Sequence, residues 1–250
     1  MPVGGKIVIV GDIHGQFEST LGIFEDFGYP RPDCVYLFNG DVVDRGDKSL
    51  ECILMVFAYK IALFESFFVT RGNHESRSVS RGSFYDECLG RLSEYPEAFD
   101  NFHTAFESLP YGYVVRDKIF VTHGGLCPGM DLKVLRVLMR HHFTYENTFE
   151  FYSMLWNDPC EDSVPVNSEG LAPSSRGEAC CLFHPNVTID FLARSNLCLL
   201  VRSHQSIREG ARFSQGKHCL TIFSAPNYRG GNNRGAVLIV TADSMRIEMM

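Results

Sequence analysis

The chain has 250 residues, of which 45% are apolar and 21% are charged, and its formal net charge is −7. The negative charge argues against a nucleic-acid partner, because affinity for a phosphate backbone comes from clustered Lys and Arg side chains. No apolar run approaches the roughly 20 residues that a membrane-spanning helix needs, so a globular protein without a membrane partner is predicted.

Three apolar runs near the start of the chain each end in a loop rich in Gly, Asp and Asn. They are Ile7–Val10, Val35–Phe38 and Phe67–Thr70, followed by Gly-Asp-Ile-His-Gly, Asn-Gly-Asp-Val-Val-Asp-Arg-Gly and Arg-Gly-Asn-His-Glu. Such runs are typical of buried strands that lead into functional loops. Helix-like stretches accompany them near Phe17–Phe27, Ser49–Leu63 and Glu97–Glu107. These repeated strand–loop–helix units predict an α/β fold.

The second half of the chain carries more strand than helix. Its apolar runs are Ile119–Thr122, Leu199–Val201, Leu220–Phe223, Ala236–Val240 and Met245–Glu248. They predict a second sheet packed on the first. The stretch Asp158–Glu178 is rich in Pro, Ser, Asn and Gly, so it is predicted to form a long irregular loop that borders the functional site.

Domain organisation and cellular location are predicted from composition. No linker-like change in composition divides residues 1–250, which predicts a single domain. The nine cysteines form no CxxC pair, and this favours a reducing compartment. The N-terminus lacks the pattern of a secretory signal, so a cytoplasmic or nuclear location, or both, is predicted.

Six polar side chains at the ends of the strands predict a site for two metal ions. They are Asp12, His14, Asp41, Asn73, His123 and His204. In the extended turn after the first strand, the side chains of Asp12 and His14 point the same way and can share one ion, and Asp41 is placed to bridge to a second. Carboxyl ends of strands converge on one edge of a sheet, which can bring these distant residues together. Their oxygen and nitrogen ligands suit Mn, Fe or Zn better than Ca.

Such a pair of ions supports phosphoester hydrolysis. Two ions held about 3.5–4 Å apart can bind a bridging water, lower its pKa and orient it for direct attack on phosphorus. Each motif alone is more simply interpreted as a turn with a hydrogen-bonded histidine, but their joint order along the chain favours the metal site. The remaining histidines are predicted to be surface or packing residues: His103, His141, His142, His184 and His218.

Eight sequence blocks around these residues follow one another in a characteristic order. The first three are Gly11-Asp-Ile-His-Gly-Gln16, Gly40-Asp-Val-Val-Asp-Arg-Gly46 and Arg71-Gly-Asn-His-Glu75. The later ones are His123-Gly-Gly-Leu126, Leu155-Trp-Asn-Asp-Pro159, Arg176-Gly177, Arg202-Ser-His-Gln205 and Ser224-Ala-Pro-Asn-Tyr228. Together they resemble the signature blocks of the phosphoprotein phosphatase (PPP) family, from about Lys6 to Val240.

The resemblance implies both a fold and an activity. The fold would be the four-layered metallophosphoesterase type, with two packed mixed β-sheets flanked by helices. The activity would be that of a Ser/Thr protein phosphatase, which hydrolyses phosphoserine and phosphothreonine in proteins. Its partners would be phosphoprotein substrates and regulatory subunits.

The resemblance also implies how the two ions, expected to be Mn²⁺, are held. One ion would be bound by Asp12, His14 and Asp41, and the other by Asp41, Asn73, His123 and His204. Asn73 would contact the substrate as well. Glu75 is expected to be a structural hydrogen-bonding partner, and Trp156 is expected to serve packing.

Further residues would act on the substrate directly. His74, oriented by Asp44, would donate a proton to the leaving seryl or threonyl oxygen. Arg45 and Arg176 would bind phosphate oxygens through paired hydrogen bonds, and Tyr228 would line the same pocket. The simpler interpretations are a surface ion pair for Arg45 and a core aromatic for Tyr228.

The sequence departs from the family pattern at two places. Arg229 stands where many members have Cys, so the charge of that loop is expected to differ. Ser80-Arg-Gly-Ser83 occurs where Tyr-Gly is usual nearby, which affects the expected shape of the substrate groove. The subtype stays open, because Leu37-Phe-Asn-Gly-Asp41 resembles the type-five phosphatases and Gly231-Asn-Asn-Arg-Gly-Ala236 resembles the EF-hand-bearing branch.

Two alternative functions are compatible with part of this pattern. A small-molecule metallophosphoesterase, such as a dinucleoside polyphosphate hydrolase, would resemble the first three blocks, but Ser224-Ala-Pro-Asn-Tyr228 favours the protein phosphatase. A catalytically weak pseudophosphatase that only binds partners would not need the complete set of ligands, arginines and the His–Asp pair. The protein phosphatase is therefore the favoured hypothesis.

Overall fold

The computed structural model describes residues 4–137 and 148–250. The strands in these ranges are β1 (Lys6–Val10), β2 (Cys34–Phe38), β3 (Phe67–Val69), β4 (Gly112–Val115), β5 (Ile119–Thr122), β6 (Asp158–Pro159), β7 (Leu171–Pro173), β8 (Cys181–Phe183), β9 (Leu199–Arg202), β10 (Ala211–Ser214), β11 (Cys219–Ile222), β12 (Ala236–Val240) and β13 (Met245–Met249). The α-helices are α1 (Phe17–Phe27), α2 (Ser49–Ala62), α3 (Ser83–Arg91), α4 (Ala98–Glu107), α5 (Leu132–Val137), α6 (Phe149–Trp156) and α7 (Pro185–Ser195).

Two five-stranded mixed sheets form the centre of the fold. The first has the order β13-β12-β1-β2-β3, in which β1, β2 and β3 are parallel and β12 runs antiparallel to β1. The second has the order β10-β11-β9-β5-β4, in which β5, β9 and β11 are parallel. Six parallel strands, three from each sheet, therefore have carboxyl ends from which loops can deliver side chains to a shared site.

Alternating side chains along each central strand build separate apolar layers. In β1, Val8 and Val10 face the helices on the outside of the first sheet, whereas Ile9 faces the second sheet. In β2 the same alternation places Phe38 outside and Leu37 between the sheets. Because both faces of these strands are covered, nearly every residue in them is apolar.

Helices cover the outer face of each sheet. Helices α1 to α4 contribute to the apolar layer outside the first sheet, and α5 to α7 to the layer outside the second. The result is the helix–sheet–sheet–helix arrangement that was predicted from the sequence. No helix among residues 4–137 and 148–250 is both long enough and apolar enough to cross a bilayer.

Two predictions about the second half of the chain were wrong in detail. Asp158–Glu178 is not irregular throughout, because β6 and β7 lie within it and join β8 in a small three-stranded sheet. Ala236–Val240 does not extend the second sheet, but pairs antiparallel with β1 in the first. The pairing of β6 and β7 with β8 and that of β12 with β1 join residues distant in sequence, so no local pattern predicts them.

Candidate active site

The first three predicted metal ligands lie together where β1 and β2 end. His14 Nε2 is 3.6 Å from Asp12 Oδ2 and 3.5 Å from Asp41 Oδ2. All three side chains are almost fully buried. Two carboxylates and one imidazole therefore surround one point, which is a geometry suited to a cation.

The other three predicted ligands surround a second point next to the first. His123 Nε2 lies 2.9 Å from Asn73 Oδ1 and 3.2 Å from His204 Nδ1. The second carboxylate oxygen of Asp41, Oδ1, is 3.3 Å from the same His123 atom. Asp41 thus faces both groups, with Oδ2 toward His14 and Oδ1 toward His123.

Backbone carbonyl groups fix the orientation of two imidazoles. His14 Nδ1 lies 3.0 Å from the carbonyl oxygen of Val43, and His123 Nδ1 lies 2.8 Å from that of Asn39. If each Nδ1 carries the proton and donates it, each Nε2 presents its lone pair to the cluster, which is the usual arrangement of a metal-binding histidine.

The backbone around the cluster is held in uncommon conformations. His14, Asp41 and His204 all have left-handed backbones, with φ of 43°, 50° and 67°. Residues that are not glycine adopt this region only where neighbouring contacts impose it. One such contact is the buried Glu75 carboxylate, which accepts hydrogen bonds from the backbone N–H groups of Asp41, Val42 and Gly72. This is the structural role expected for Glu75.

Burial and neighbouring charges shift the pKa values of the cluster residues. Burial and the neighbouring charge of Asp41 raise the pKa of Asp12 to about 7. Burial also lowers the pKa of His14 to about 4 and that of His204 well below its usual value, the latter with help from the charge of His123. The buried Nε2 of His204 has no hydrogen-bond partner among the described residues. Packed acceptors of this kind fit divalent metal ions, whose ligands must be deprotonated.

His74 and Asp44 form a buried pair beside the cluster. His74 Nδ1 lies 2.6 Å from Asp44 Oδ2, and Asp44 Oδ1 accepts hydrogen bonds from Ser83 Oγ and the Phe84 backbone N–H, both at 2.8 Å. Burial alone would lower the pKa of His74, but the charge of Asp41 and the hydrogen bond and charge of Asp44 outweigh it, so the pKa is raised. His74 is therefore suited to hold a proton.

A cavity of about 270 Å³ opens above these groups, and the other predicted residues lie in its wall. Arg176 Nε donates to Asp158 Oδ2 at 2.5 Å, and its Nη2 donates to the carbonyl oxygen of His204 at 3.1 Å. The exposed guanidinium of Arg45 has no partner among the described residues, so it is not part of a surface ion pair. The Tyr228 ring is half-buried and stacks on His14 with 5.0 Å between ring centroids, so it is not a core aromatic.

Several residues of the wall were not predicted as site residues. Trp156 packs edge-on against the His204 ring at 5.6 Å, as expected of a packing residue, but it also borders the cavity. Phe223 and Arg229 border it too, although each lies next to a residue of the eighth sequence block. The positions of Phe223 and Arg229 directly beside this block were the sequence signal that could have identified them.

Asp158 has a role that its sequence block did not reveal. While one carboxylate oxygen binds Arg176, the other accepts a hydrogen bond of 2.8 Å from Nη2 of Arg202, which is fully buried. A single carboxylate thus links a cavity arginine to a buried one.

The remaining histidines are not part of the cavity wall where they are described. His103 is buried between the rings of Phe99 and Phe106, which makes it a packing residue. His184 and His218 are partly exposed and lie outside the wall. The predictions for His141 and His142 fall outside the described residues.

Comparison with known proteins places the chain in a class. The family model of the calcineurin-like phosphoesterases matches residues 5–207, so the chain belongs to this metallophosphoesterase family, and the predicted fold class is confirmed. Membership implies divalent metal ions. Two groups of described residues could hold them, His14, Asp41 and His74, and Asp41, His123 and His204, each with ligand atoms within 4.8 Å of one another.

Closer relatives confirm the resemblance to the phosphoprotein phosphatases. The chain is 41% identical over 251 residues to serine/threonine-protein phosphatase T of Trypanosoma brucei brucei, an alignment that covers 98% of this chain and 51% of that protein. It therefore spans about half the length of this curated relative. A solved protein serine/threonine phosphatase from Saccharomyces cerevisiae, with similarity to human PP5, has 35% identity and a TM-score of 0.90, covering 100% of this chain and 80% of that one.

A more distant structure shares the fold alone. A candidate diadenosine tetraphosphatase matches with a TM-score of 0.57 and 16% identity, over 99% of this chain and 95% of the other. At this identity the likeness says nothing about substrate.

Proposed function

We propose that the chain is a metal-dependent phosphoprotein phosphatase that hydrolyses phosphoserine and phosphothreonine monoesters in proteins. The observation that carries the proposal is one cavity lined by five of the six candidate metal ligands, His74, Arg45 and Arg176, with His123 and Asp44 in contact with residues of that wall. The two Ser/Thr phosphatase relatives support the choice of substrate.

Two divalent ions would occupy the cluster, with Mn²⁺ as the first candidate and Fe or Zn as alternatives, because the ligands mix carboxylate, carboxamide and imidazole. Such ions supply charge that neutralises phosphate oxygens, and they acidify water. His74 lies near the first group, but its Nδ1 is bonded to Asp44, so we assign Asp12 as the third ligand there. The proposed ligands are Asp12, His14 and Asp41 for one ion, and Asp41, Asn73, His123 and His204 for the other.

The chain's own residues would position the phosphate and handle the proton. Arg45 and Arg176 would bind equatorial phosphate oxygens, since a guanidinium offers parallel donors to two oxygens. Asn73 and Tyr228 would complete the substrate pocket. His74 would donate its Nε2 proton to the leaving seryl or threonyl oxygen, while Asp44 holds the ring at Nδ1. We also infer that regulatory subunits contribute to substrate choice, as the family resemblance implies.

The alternatives are weaker on the same observations. The likeness to the candidate diadenosine tetraphosphatase extends to the fold, whereas the Ser/Thr phosphatases share the fold and more than a third of the residues. A pseudophosphatase is disfavoured because the metal ligands, both arginines and the His74–Asp44 pair are all present, either in the cavity wall or in contact with it.

The test is a side-by-side turnover assay with a phosphoserine peptide and a dinucleoside polyphosphate, after loading with Mn²⁺ and after chelation. We expect turnover of the peptide only in the loaded protein. Asp41→Asn is expected to abolish it, and Asp33→Asn, which alters an exposed carboxylate away from the cavity, is expected to leave it intact. Preferential turnover of the dinucleotide would overturn the choice of substrate, and no turnover of either would favour the pseudophosphatase.

A further inference from the structure

A third arginine, Arg229, borders the same cavity as Arg45 and Arg176. It lies in a short 3-10 turn, Tyr228–Gly230, and its backbone is left-handed with φ of 53°. The preceding Asn227 is left-handed as well, with φ of 49°. These two left-handed residues, one on each side of Tyr228, set the direction in which Arg229 leaves the loop.

Buried hydrogen bonds fix the base of this loop. The Asn233 side chain accepts a hydrogen bond from the Tyr228 backbone N–H and donates one to the Ala225 carbonyl oxygen, both at 2.8 Å. The Asn227 backbone N–H donates to the Asn233 carbonyl oxygen at 2.9 Å. The Arg229 side chain is therefore attached to a defined piece of backbone rather than to a loose loop.

The three arginines differ in their partners. The charge of Arg176 is shared with Asp158, as described above. The exposed Arg229 guanidinium has no hydrogen bond or ion pair within the described residues, which is also true of Arg45. The carboxylates of the cavity wall are Asp12 and Asp41, and both belong to the metal cluster. Arg229 is thus an unpaired cation at the cavity of a chain whose net charge is −7.

The place of Arg229 in the cavity follows from its neighbour Tyr228. Both residues border the cavity together with Arg45 and Arg176. In the proposed function Arg45, Arg176 and the metal ions would bind the oxygens of one phosphate, so Arg229 is available for a second group beside that phosphate.

We propose that Arg229 is a specificity-determining residue, which selects phosphopeptides carrying a second anionic group next to the phosphoserine or phosphothreonine. This inference rests on the proposed function and adds a substrate class to it. The anion is a carboxylate of Asp or Glu or a second phosphate, because a guanidinium binds either through paired hydrogen bonds.

The test compares three phosphoserine peptides that differ only in the residues on either side: Ala, Glu or a second phosphoserine. We expect the unaltered protein to prefer the two anionic peptides over the Ala peptide by about threefold to tenfold in kcat/KM, the range for a charge-assisted hydrogen bond at a partly exposed site. Arg229→Gln removes most of that preference, and Arg229→Lys retains part of it. The preference shrinks at about 0.5 M salt, because ionic screening weakens exposed charge pairs.

The matched control is Arg234→Ala, which removes the same charge from an exposed residue of the same loop that does not border the cavity. It is expected to retain the preference. A preference for one anionic peptide alone would support the proposal and identify carboxylate or phosphate as the group selected. Equal preference in the unaltered protein and Arg229→Gln would overturn it, as would an equal loss in Arg234→Ala.

A failure of the proposed function gives a different result from a failure of the inference about Arg229. If none of the peptides is hydrolysed after Mn²⁺ loading, the phosphatase proposal fails, and fluorescence anisotropy of the labelled peptides decides the role of Arg229. Tighter binding of the anionic peptides that is lost in Arg229→Gln would still support the inference, whereas equal affinities would contradict it.

Discussion

The orientation of the His74 ring is set by a contact that is separate from the proposed metal ligands. Asp44 binds Nδ1 of the ring at 2.6 Å and is itself held by Ser83 and the Phe84 backbone. Rotation of the ring is therefore restricted, and the other ring nitrogen is left for the substrate. A side chain that acts as a general acid should be required for turnover and dispensable for the metal ions.

His74→Asn is expected to lower kcat for a phosphoserine peptide by about 10²–10⁴-fold, the usual contribution of general acid catalysis. Metal content, measured by elemental analysis, should stay near that of the unaltered protein. His218→Asn, which lies outside the cavity, is the control and should change neither quantity. Turnover that survives His74→Asn would remove this histidine from the mechanism.

Asp158 positions Arg176, the proposed phosphate-binding residue, although the two lie far apart in sequence. Its carboxylate lies between Arg176 and the buried Arg202, so loss of the negative charge releases the first and leaves the second uncompensated. Asp158→Asn is therefore expected to raise KM for the phosphopeptide about tenfold, with a smaller effect on kcat.

A double-mutant cycle with Arg176→Ala measures this dependence. The coupling free energy should lie between about 0.5 and 3 kcal/mol, as for residues in direct contact. Strictly additive losses would show that Asp158 does not act through Arg176. Chemical denaturation of Asp158→Asn is the control, because the uncompensated Arg202 should also lower stability.

At the scale of elements, the sequence predicted the strands that deliver the site. β1, β2, β5 and β9 are rich in Val, Ile, Leu and Phe, because both faces of each are covered by apolar layers. In each case the site residue follows within a few positions of the strand end. Because these strands are buried on both faces, their positions could be predicted from local composition.

Other elements left weaker signals. Strand β6 has two residues, and its partner β8 lies more than twenty positions away, so no periodicity could reveal either. Helix α7 was not predicted, although the sequence carries signals for both of its ends. Pro185 occupies its first turn, and Asn196, which is left-handed, ends it. The left-handed backbone of Asp41 was not predictable, because it depends on hydrogen bonds to the distant Glu75.

Gly72 shows how closely the elements approach at the site. A Cβ atom there would lie 2.3 Å from Asp41 Oδ1 and 2.8 Å from Glu75 Oε2. Gly72→Ala is therefore expected to displace the Asp41 carboxylate, which would lower both the metal content and the melting temperature. Elemental analysis and thermal unfolding measure the two effects.

The matched control is Gly22→Ala in α1, where an added Cβ meets nothing within 4 Å. It should stabilise the protein by about 0.5–1 kcal/mol, because Ala favours a helix more than Gly does. A normal metal content in Gly72→Ala would show that the loop adjusts without moving Asp41.

At the scale of the whole molecule, the candidate metal site joins the two sheets. Asp12, Asp41 and Asn73 follow strands of the first sheet, whereas His123 and His204 follow strands of the second. Asn39 is a direct link between the sheets, since its Nδ2 donates to the Thr122 carbonyl oxygen and to Ser203 Oγ, both at 2.8 Å. Ions bound between these groups would add bonds across the same junction.

Metal removal is therefore expected to destabilise the entire fold rather than one loop. Each ion present at about 100 times its dissociation constant adds roughly 2.7 kcal/mol to the free energy of unfolding. For a chain of this size, each kcal/mol shifts the melting temperature by about 2–4 °C, so chelation should lower it by about 5–11 °C for each ion removed. Differential scanning calorimetry with and without Mn²⁺ measures the shift, independently of activity.

Two variants show whether that shift arises at the junction of the sheets. His123→Asn removes a ligand contributed by the second sheet, and its melting temperature should respond less to Mn²⁺ because one of the two ions loses an anchor on that side. His218→Asn alters a histidine outside the cavity and should retain the full response. An equal response in both would mean that the stabilising ions bind elsewhere, and the link between the sheets would then rest on protein contacts such as those of Asn39.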